Sequence, residues 1–199
     1  MKKLLVLKHW QLFLVLFGIP FFLQIVLTSA VIATESPSML FFTIPIIMVV
    51  YLGIFFLWLY TLGTQLHKKL PETVLMKINF FKMALVFPLV YLAIIIVGIY
   101  YMISNIVVDA TPNFALLFLI IPLHLFSIFC MLFALYFIAK ALKSVEIMKQ
   151  ARFNDFIGEF FLFWFFPIGI WFLQPRINKL FDENLPLDTD QALDSSLRE

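Results

Sequence analysis

Few residues in this chain could do chemistry, and their positions narrow what that chemistry would be. Of three histidines, His9 and His67 flank apolar runs, which leaves His124 as the one ionisable side chain near the middle of an apolar stretch. At helical spacing Ser127, Met131 and Ala134 share its face, so that side is small and polar enough to turn inward. Gln24, in an earlier apolar run, stands at a depth where it could meet His124. A histidine so placed could contact a ligand or carry a proton. A neutral, hydrogen-bonded packing residue accounts for the same position with fewer requirements. His124, Gln24 and Ser127 are the candidate cavity-lining residues.

No catalytic constellation accompanies them. The chain has no HExxH, no cysteine pair, no phosphate-binding glycine loop, and no serine with a histidine and a carboxylate beside it. Ser127, one turn from His124 on the same helix, is of a type that bonds its own backbone. No catalytic residue, cofactor site or metal site is expected. The single cysteine, Cys130, sits in an apolar run and forms no intrachain disulfide. The basic clusters are short and flank apolar runs, where anionic headgroups account for them, so no nucleic-acid partner is expected.

A second pair of interest is charged. Glu159 and Arg176 bracket the uncharged run from Phe160 to Leu173, which Pro167 and Gly169 interrupt and Gln174-Pro175-Arg176 closes. About 14 residues make a helix of roughly 21 Å, short of the roughly 30 Å hydrocarbon core. The run is apolar enough for a membrane and too broken to cross one. It predicts a re-entrant or interfacial helical segment over about residues 157–174, docked on protein because lipid cannot satisfy a broken backbone. A dip brings its ends together, so Glu159 and Arg176 are expected to meet as an interfacial ion pair. The alternative is separate solvation among the headgroups.

The elements that would position these residues follow from composition. Hydrophobic residues make up 63% of the chain and charged ones 13%, against roughly 45–50% and 25% in soluble domains. One globular core cannot bury so much apolar surface. The expected fold is all-α and polytopic: four transmembrane helices at about 10–33, 39–64, 83–104 and 114–139, plus the C-terminal re-entrant segment, in one membrane domain over 1–180. The first apolar run exceeds a signal peptide's, so it is read as a retained span. Between spans two and three, Pro71-Glu72 suits the first turn of a surface helix that precedes span three. Residues 181–199 form an acidic tail expected to be disordered.

Charge sets the orientation. Lys2, Lys3 and Lys8 precede span one; Lys68, Lys69, Lys77 and Lys82 lie between spans two and three; Lys140, Lys143, Lys149 and Arg152 follow span four. The other two loops carry none. By the positive-inside rule both termini are cytoplasmic, and a C-terminal segment that returns keeps all 14 basic residues inside.

Each span also holds a proline in or near its first half: Pro20, Pro45, Pro88 and Pro122. The ends of spans two and four match loosely, LYTLGTQLHKKL against LYFIAKALKSV, which suggests a parallel duplication of a helical hairpin. Each proline frees the carbonyl four residues earlier, and four kinked helices could enclose a cavity or simply pack.

The run GEFFLFWFFPIGIWFLQPRIN, residues 158–178, resembles the C-terminal segment of small multi-span bacterial membrane proteins without an assigned activity. The resemblance covers about a tenth of the chain and brings no catalytic residues. It implies that the C-terminal dip defines the family. Three functional classes stay open: a non-enzymatic accessory or assembly subunit bound to the bilayer and to another membrane protein, a small transporter or lipid-handling protein with a cavity between proline-kinked helices, and an intramembrane enzyme, which needs reactive groups the sequence lacks.

Overall fold

A computed structural model describes residues 2–34, 40–107 and 115–181. Among these the regular structure is helical, with no strand. A short 3-10 turn, Lys2–Leu5, precedes helix α1 (His9–Phe13), which runs through a π-helical turn, Leu14–Gly18, into α2 (Ile19–Ala33). The π turn has a local cause. Pro20 cannot donate to the carbonyl of Leu16 and its ring crowds it. The helix widens, so that the Ile19 amide reaches back five residues to the Leu14 carbonyl. Three long helices follow: α3 (Leu40–Lys68), α4 (Ile78–Val107) and α5 (Ala115–Glu146), each with its proline inside. Two shorter ones, α6 (Phe153–Trp164) and α7 (Phe166–Phe181), complete the chain.

Four stretches are long and apolar enough to cross a bilayer: His9–Ala33, Ile44–Lys68, Ile78–Ile99 and Phe118–Glu146. The second is the most enclosed. In its most apolar window 39% of side chains are buried, against 17% in the first and third and 22% in the fourth. Helix α3 therefore forms the centre, touching α2, α4, α5 and the N-terminal turn. Gly63 permits a close approach to α4, since a Cβ there would lie 2.3 Å from the buried Phe81 ring. That ring stacks on Phe137 of α5 at 4.6 Å.

The segment joining spans two and three departs from expectation. No helix begins at Pro71; residues 70–77 form an irregular turn and α4 starts at Ile78. Val74 is buried and its amide bonds the Pro71 carbonyl, while the His67 ring bonds the Met76 carbonyl at 2.9 Å. Those local bonds satisfy the backbone without a helix. The exit loop expected between spans three and four and the acidic tail fall wholly or largely outside the described residues.

The C-terminal stretch folds as a helical hairpin. Its break falls at Phe165 (φ −91°, ψ 51°), not at Pro167 or Gly169. Pro167 occupies the first turn of α7, where its missing amide costs nothing. Gly169 serves close packing instead: a Cβ there would sit 1.8 Å from the Leu162 carbonyl oxygen of α6. Helix α7 also continues through Pro175 to Phe181, beyond where Gln174-Pro175-Arg176 was expected to close it.

The hairpin's tip reaches the middle of the bundle. The Phe166 ring lies 4.8 Å from Trp58, 5.0 Å from Phe55 and 5.8 Å from Phe17. At roughly 1.5 Å per residue, Phe55 stands about 20 Å up α3 from Lys68. The hairpin's base returns to that same end, where Lys69 donates to the Leu180 carbonyl and its ammonium covers the Phe181 ring at 4.9 Å. The buried core follows this arrangement. It gathers Leu12, Leu16, Trp58, Leu62, Leu66, Phe81, Ile138, Leu142, Phe156, Phe163 and Ile170 in the half of the bundle that the hairpin shares.

Candidate functional site

Two places concentrate polar or open structure, one at the base of the hairpin and one at its tip. At the base, Arg176 of α7 donates through Nε to Glu146 Oε1 at 2.8 Å and through Nη2 to Glu146 Oε2 at 2.6 Å. The same Nη2 reaches Glu159 Oε1 of α6 at 2.6 Å. Lys143 closes the group, 3.4 Å from Glu159 and 3.9 Å from Glu146. Two acids and two bases thus join α5, α6 and α7 in a neutral cluster. The two-pronged contact uses the planar fork of arginine, which a lysine could not reproduce.

Burial would push the Glu159 carboxyl upward, but the hydrogen bond from Arg176, with the charges of Arg176 and Lys143, outweighs it. The group is held below its ordinary value of 4.5. Hydrogen bonds to Glu146, then burial acting in the opposite sense, then Glu159, leave the Arg176 guanidinium raised. The glutamate side chain is only 8% exposed and the arginine 33%. Local structure fixes the cluster: Ser144 Oγ accepts the Ala151 amide at 3.1 Å, Asp155 caps α6 by accepting the Arg152 amide at 2.8 Å, and Met148 takes a left-handed conformation (φ 52°) between them.

The same arm of the hairpin holds the amino-terminal segment. Gln174 Nε2 donates to the carbonyls of Leu5 at 3.1 Å and Leu7 at 2.9 Å, and Asn178 Nδ2 donates to Leu7 at 3.2 Å. The run Gln174-Pro175-Arg176-Ile177-Asn178 is thereby accounted for: two amides hold the chain's beginning, and the arginine between them holds span four.

At the tip lies a cavity of about 350 Å³. Its walls come from span one (Phe17), span two (Tyr51, Phe55), span four (Ile128, Met131, Leu132, Leu135) and the hairpin (Phe163, Trp164, Phe166, Pro167). The tip thus holds spans one and four apart. The polar side-chain atoms of this wall are the Tyr51 hydroxyl, which has no hydrogen-bond partner among the described residues, and the indole Nε1 of Trp164. The buried Trp58 Nε1, beside Phe166, also lacks a hydrogen-bond partner among the described residues.

The sequence candidates lie elsewhere. His124 Nδ1 pairs with the Tyr91 hydroxyl of α4 at 3.0 Å, on an exposed face of α5. Gln24 donates to Thr28 of its own helix at 3.1 Å. Ser127 is buried. None of the three lines the cavity, and no bond joins Gln24 to His124. Glu159 and Arg176 do come together, at 2.6 Å. Sequence reasoning passed over Glu146, though its place one turn after Lys143 marks it as a paired charge. It also passed over Tyr51, which no local pattern distinguishes from an ordinary membrane-helix tyrosine. Among the described residues no three His, Cys, Asp or Glu side chains converge as metal ligands would.

Four apolar helices of spanning length, with a core confined to one half, define an integral, multi-span, all-helical membrane protein. No protein-family model, curated protein or solved structure matches the chain.

Proposed function

We propose that the protein is a non-enzymatic accessory or assembly subunit of a membrane complex, seated in a bacterial cytoplasmic membrane with both termini on the cytoplasmic side. The observation that supports this reading is the uneven core. Around the hairpin the helices are knit together, whereas the far halves of the spans leave Phe21, Phe22, Ile32, Ile46, Val97, Phe118 and Leu125 exposed. Polar groups lie there as well: Ser29 and His124 on exposed faces and Gln24 half-buried. Each already has a hydrogen-bond partner within the chain, Ile25, Tyr91 and Thr28 respectively, so a partner helix would shield these polar groups from hydrocarbon and not supply their first bonds.

On this reading the hairpin is a re-entrant element that ties the spans into a rigid base, and the far halves receive the partner. The run at residues 158–178 would be the part shared with other small multi-span bacterial membrane proteins. A solute pathway would need polar walls, and the cavity has a single hydroxyl. The test is purification in mild detergent with a photo-crosslinking side chain at Phe22 or Leu125. A specific membrane-protein adduct from these positions, absent when the probe is placed at the exposed Phe172 of the hairpin, is the expected outcome. Purification alone at every expression level, with lipid adducts only, would remove the proposal.

A further inference from the structure

The cavity at the hairpin tip has a property that a flat lipid-facing surface lacks: a closed back and an open rim. Phe55, Phe163 and Phe166 are 9%, 1% and 4% exposed, whereas Ile128 and Trp164 at the opposite side are 41% and 47% exposed. The opening lies between span four and the hairpin tip. Its Ile128–Leu135 wall stands about 17–27 Å up α5 from Glu146 at roughly 1.5 Å per residue, within the hydrocarbon depth.

Water does not suit such a space. A buried water takes two to four polar partners, and the side chains of the wall offer only the Tyr51 hydroxyl inside and the Trp164 indole N–H at the exposed rim. An empty volume of this size would forfeit the dispersion contacts of every ring around it. Charged or zwitterionic groups have nothing to pair with, so a headgroup must stay outside. At roughly 30 Å³ per water-sized unit, the volume takes about a dozen such units in a row, the scale of the distal part of one acyl chain. We infer that this cavity seats a single hydrocarbon tail of a bilayer lipid, entering sideways between Ile128 and Trp164. Phe17, Phe55 and Phe166 grip the chain, and the hairpin tip forms the floor on which it ends. The inference stands apart from the accessory reading, since a subunit or a transporter could hold such a lipid equally.

Trp164 at the rim is a native probe. A protein with Trp10, Trp58 and Trp171 changed to Phe is reconstituted in phosphatidylethanolamine and phosphatidylglycerol vesicles whose acyl chains carry bromine, then diluted into excess unbrominated vesicles. A companion retaining only Trp171, which packs beside His9 and Phe13 outside the cavity and is 46% exposed, reports ordinary boundary lipid. Trp164 should regain its fluorescence at least about tenfold more slowly than Trp171, because a seated chain leaves by a slow dissociation. Equal recovery overturns the inference. Trp58 is buried, so its replacement can disturb folding; native mass spectrometry of the unmodified protein gives a second reading. One retained phospholipid is expected, lost on Leu132→Trp or on the rim change Ile128→Phe. A retained isoprenoid or quinone, no retained molecule, or a lipid that survives both changes overturns it.

Discussion

Glu159 and Arg176 meet at 2.6 Å across the base of a helical hairpin although 17 positions separate them. Such a contact requires the chain to travel inward along α6, turn at Phe165 and come back along α7. Glu146 and Lys143 extend the pairing to span four, so the cluster fastens the hairpin to the bundle instead of joining its two arms alone.

Removing Arg176 leaves two carboxylates, the largely buried Glu159 and Glu146, facing Lys143 alone, which costs more than the lost contacts contribute. Arg176→Ala should destabilise the protein by about 3 kcal/mol, read as a lowered melting temperature in detergent. Arg176→Lys should recover only part, because an ammonium cannot bridge Glu146 through two parallel bonds. Full recovery by lysine would mean that charge alone matters there.

The pH response has a defined sign. Glu159 is depressed from its ordinary 4.5 in the folded protein, so the unfolded chain takes up its proton first as pH falls. The stabilisation is fully present above about pH 5 and is lost as pH drops below 4.5 toward the folded value. The melting temperature should hold level from pH 7 to 5 and then decline, with Glu159→Gln already lowered at pH 7 and declining less. An unchanged slope in that variant would take Glu159 out of the titration.

Two glycines of the hairpin, Gly158 and Gly169, stand in opposite surroundings. A methyl group at Gly169 would collide with the Leu162 carbonyl, a backbone atom that cannot rotate away, whereas at Gly158 it meets nothing within 4 Å. Gly169→Ala should cost at least about 3 kcal/mol, in the range of overpacking or more. Gly158→Ala should be neutral or stabilising by up to about 1 kcal/mol, the ordinary helix preference. Expression yield and melting temperature of the two variants decide it.

The amino-terminal tether is testable separately. Gln174→Leu keeps the side chain's bulk and removes both donors to Leu5 and Leu7. The backbone from Leu4 to Lys8 should then gain hydrogen exchange or protease sensitivity by roughly tenfold, equivalent to about 1.4 kcal/mol, while amides in α3 stay unchanged. Equal exchange in both proteins would show that packing, not these bonds, holds the segment.

Much of this architecture was legible because hydrocarbon thickness and helix rise are stiff constraints. They mark four helices of spanning length from hydropathy alone, and the Phe160–Leu173 run is too short to add a fifth of that length. The Glu159–Arg176 pairing follows once the chain turns back. Other features depend on neighbours that sequence does not place. Gly169 and Pro167 look like helix breakers, yet the break falls at Phe165, because Pro167 fits a first turn and Gly169 answers to Leu162 across the hairpin. Pro71 resembles a helix start, but His67 and Val74 settle the turn otherwise. His124 and Gln24 match in depth, yet each bonds a different partner, Tyr91 and Thr28. The cavity arises from the spacing of spans one and four, which the hairpin sets.

The proposal that the hairpin returns to the side it left is tested most directly by paired surface labelling. Glu72 and Lys179 are both exposed, one in the loop between spans two and three and the other at the end of α7. In a Cys130→Ala background each is changed to Cys and treated in intact cells with a membrane-impermeant maleimide. The expected result is that neither reacts until the membrane is permeabilised, and that both then do. Reaction of Lys179→Cys in intact cells while Glu72→Cys stays silent would place the two on opposite faces and contradict the re-entrant hairpin.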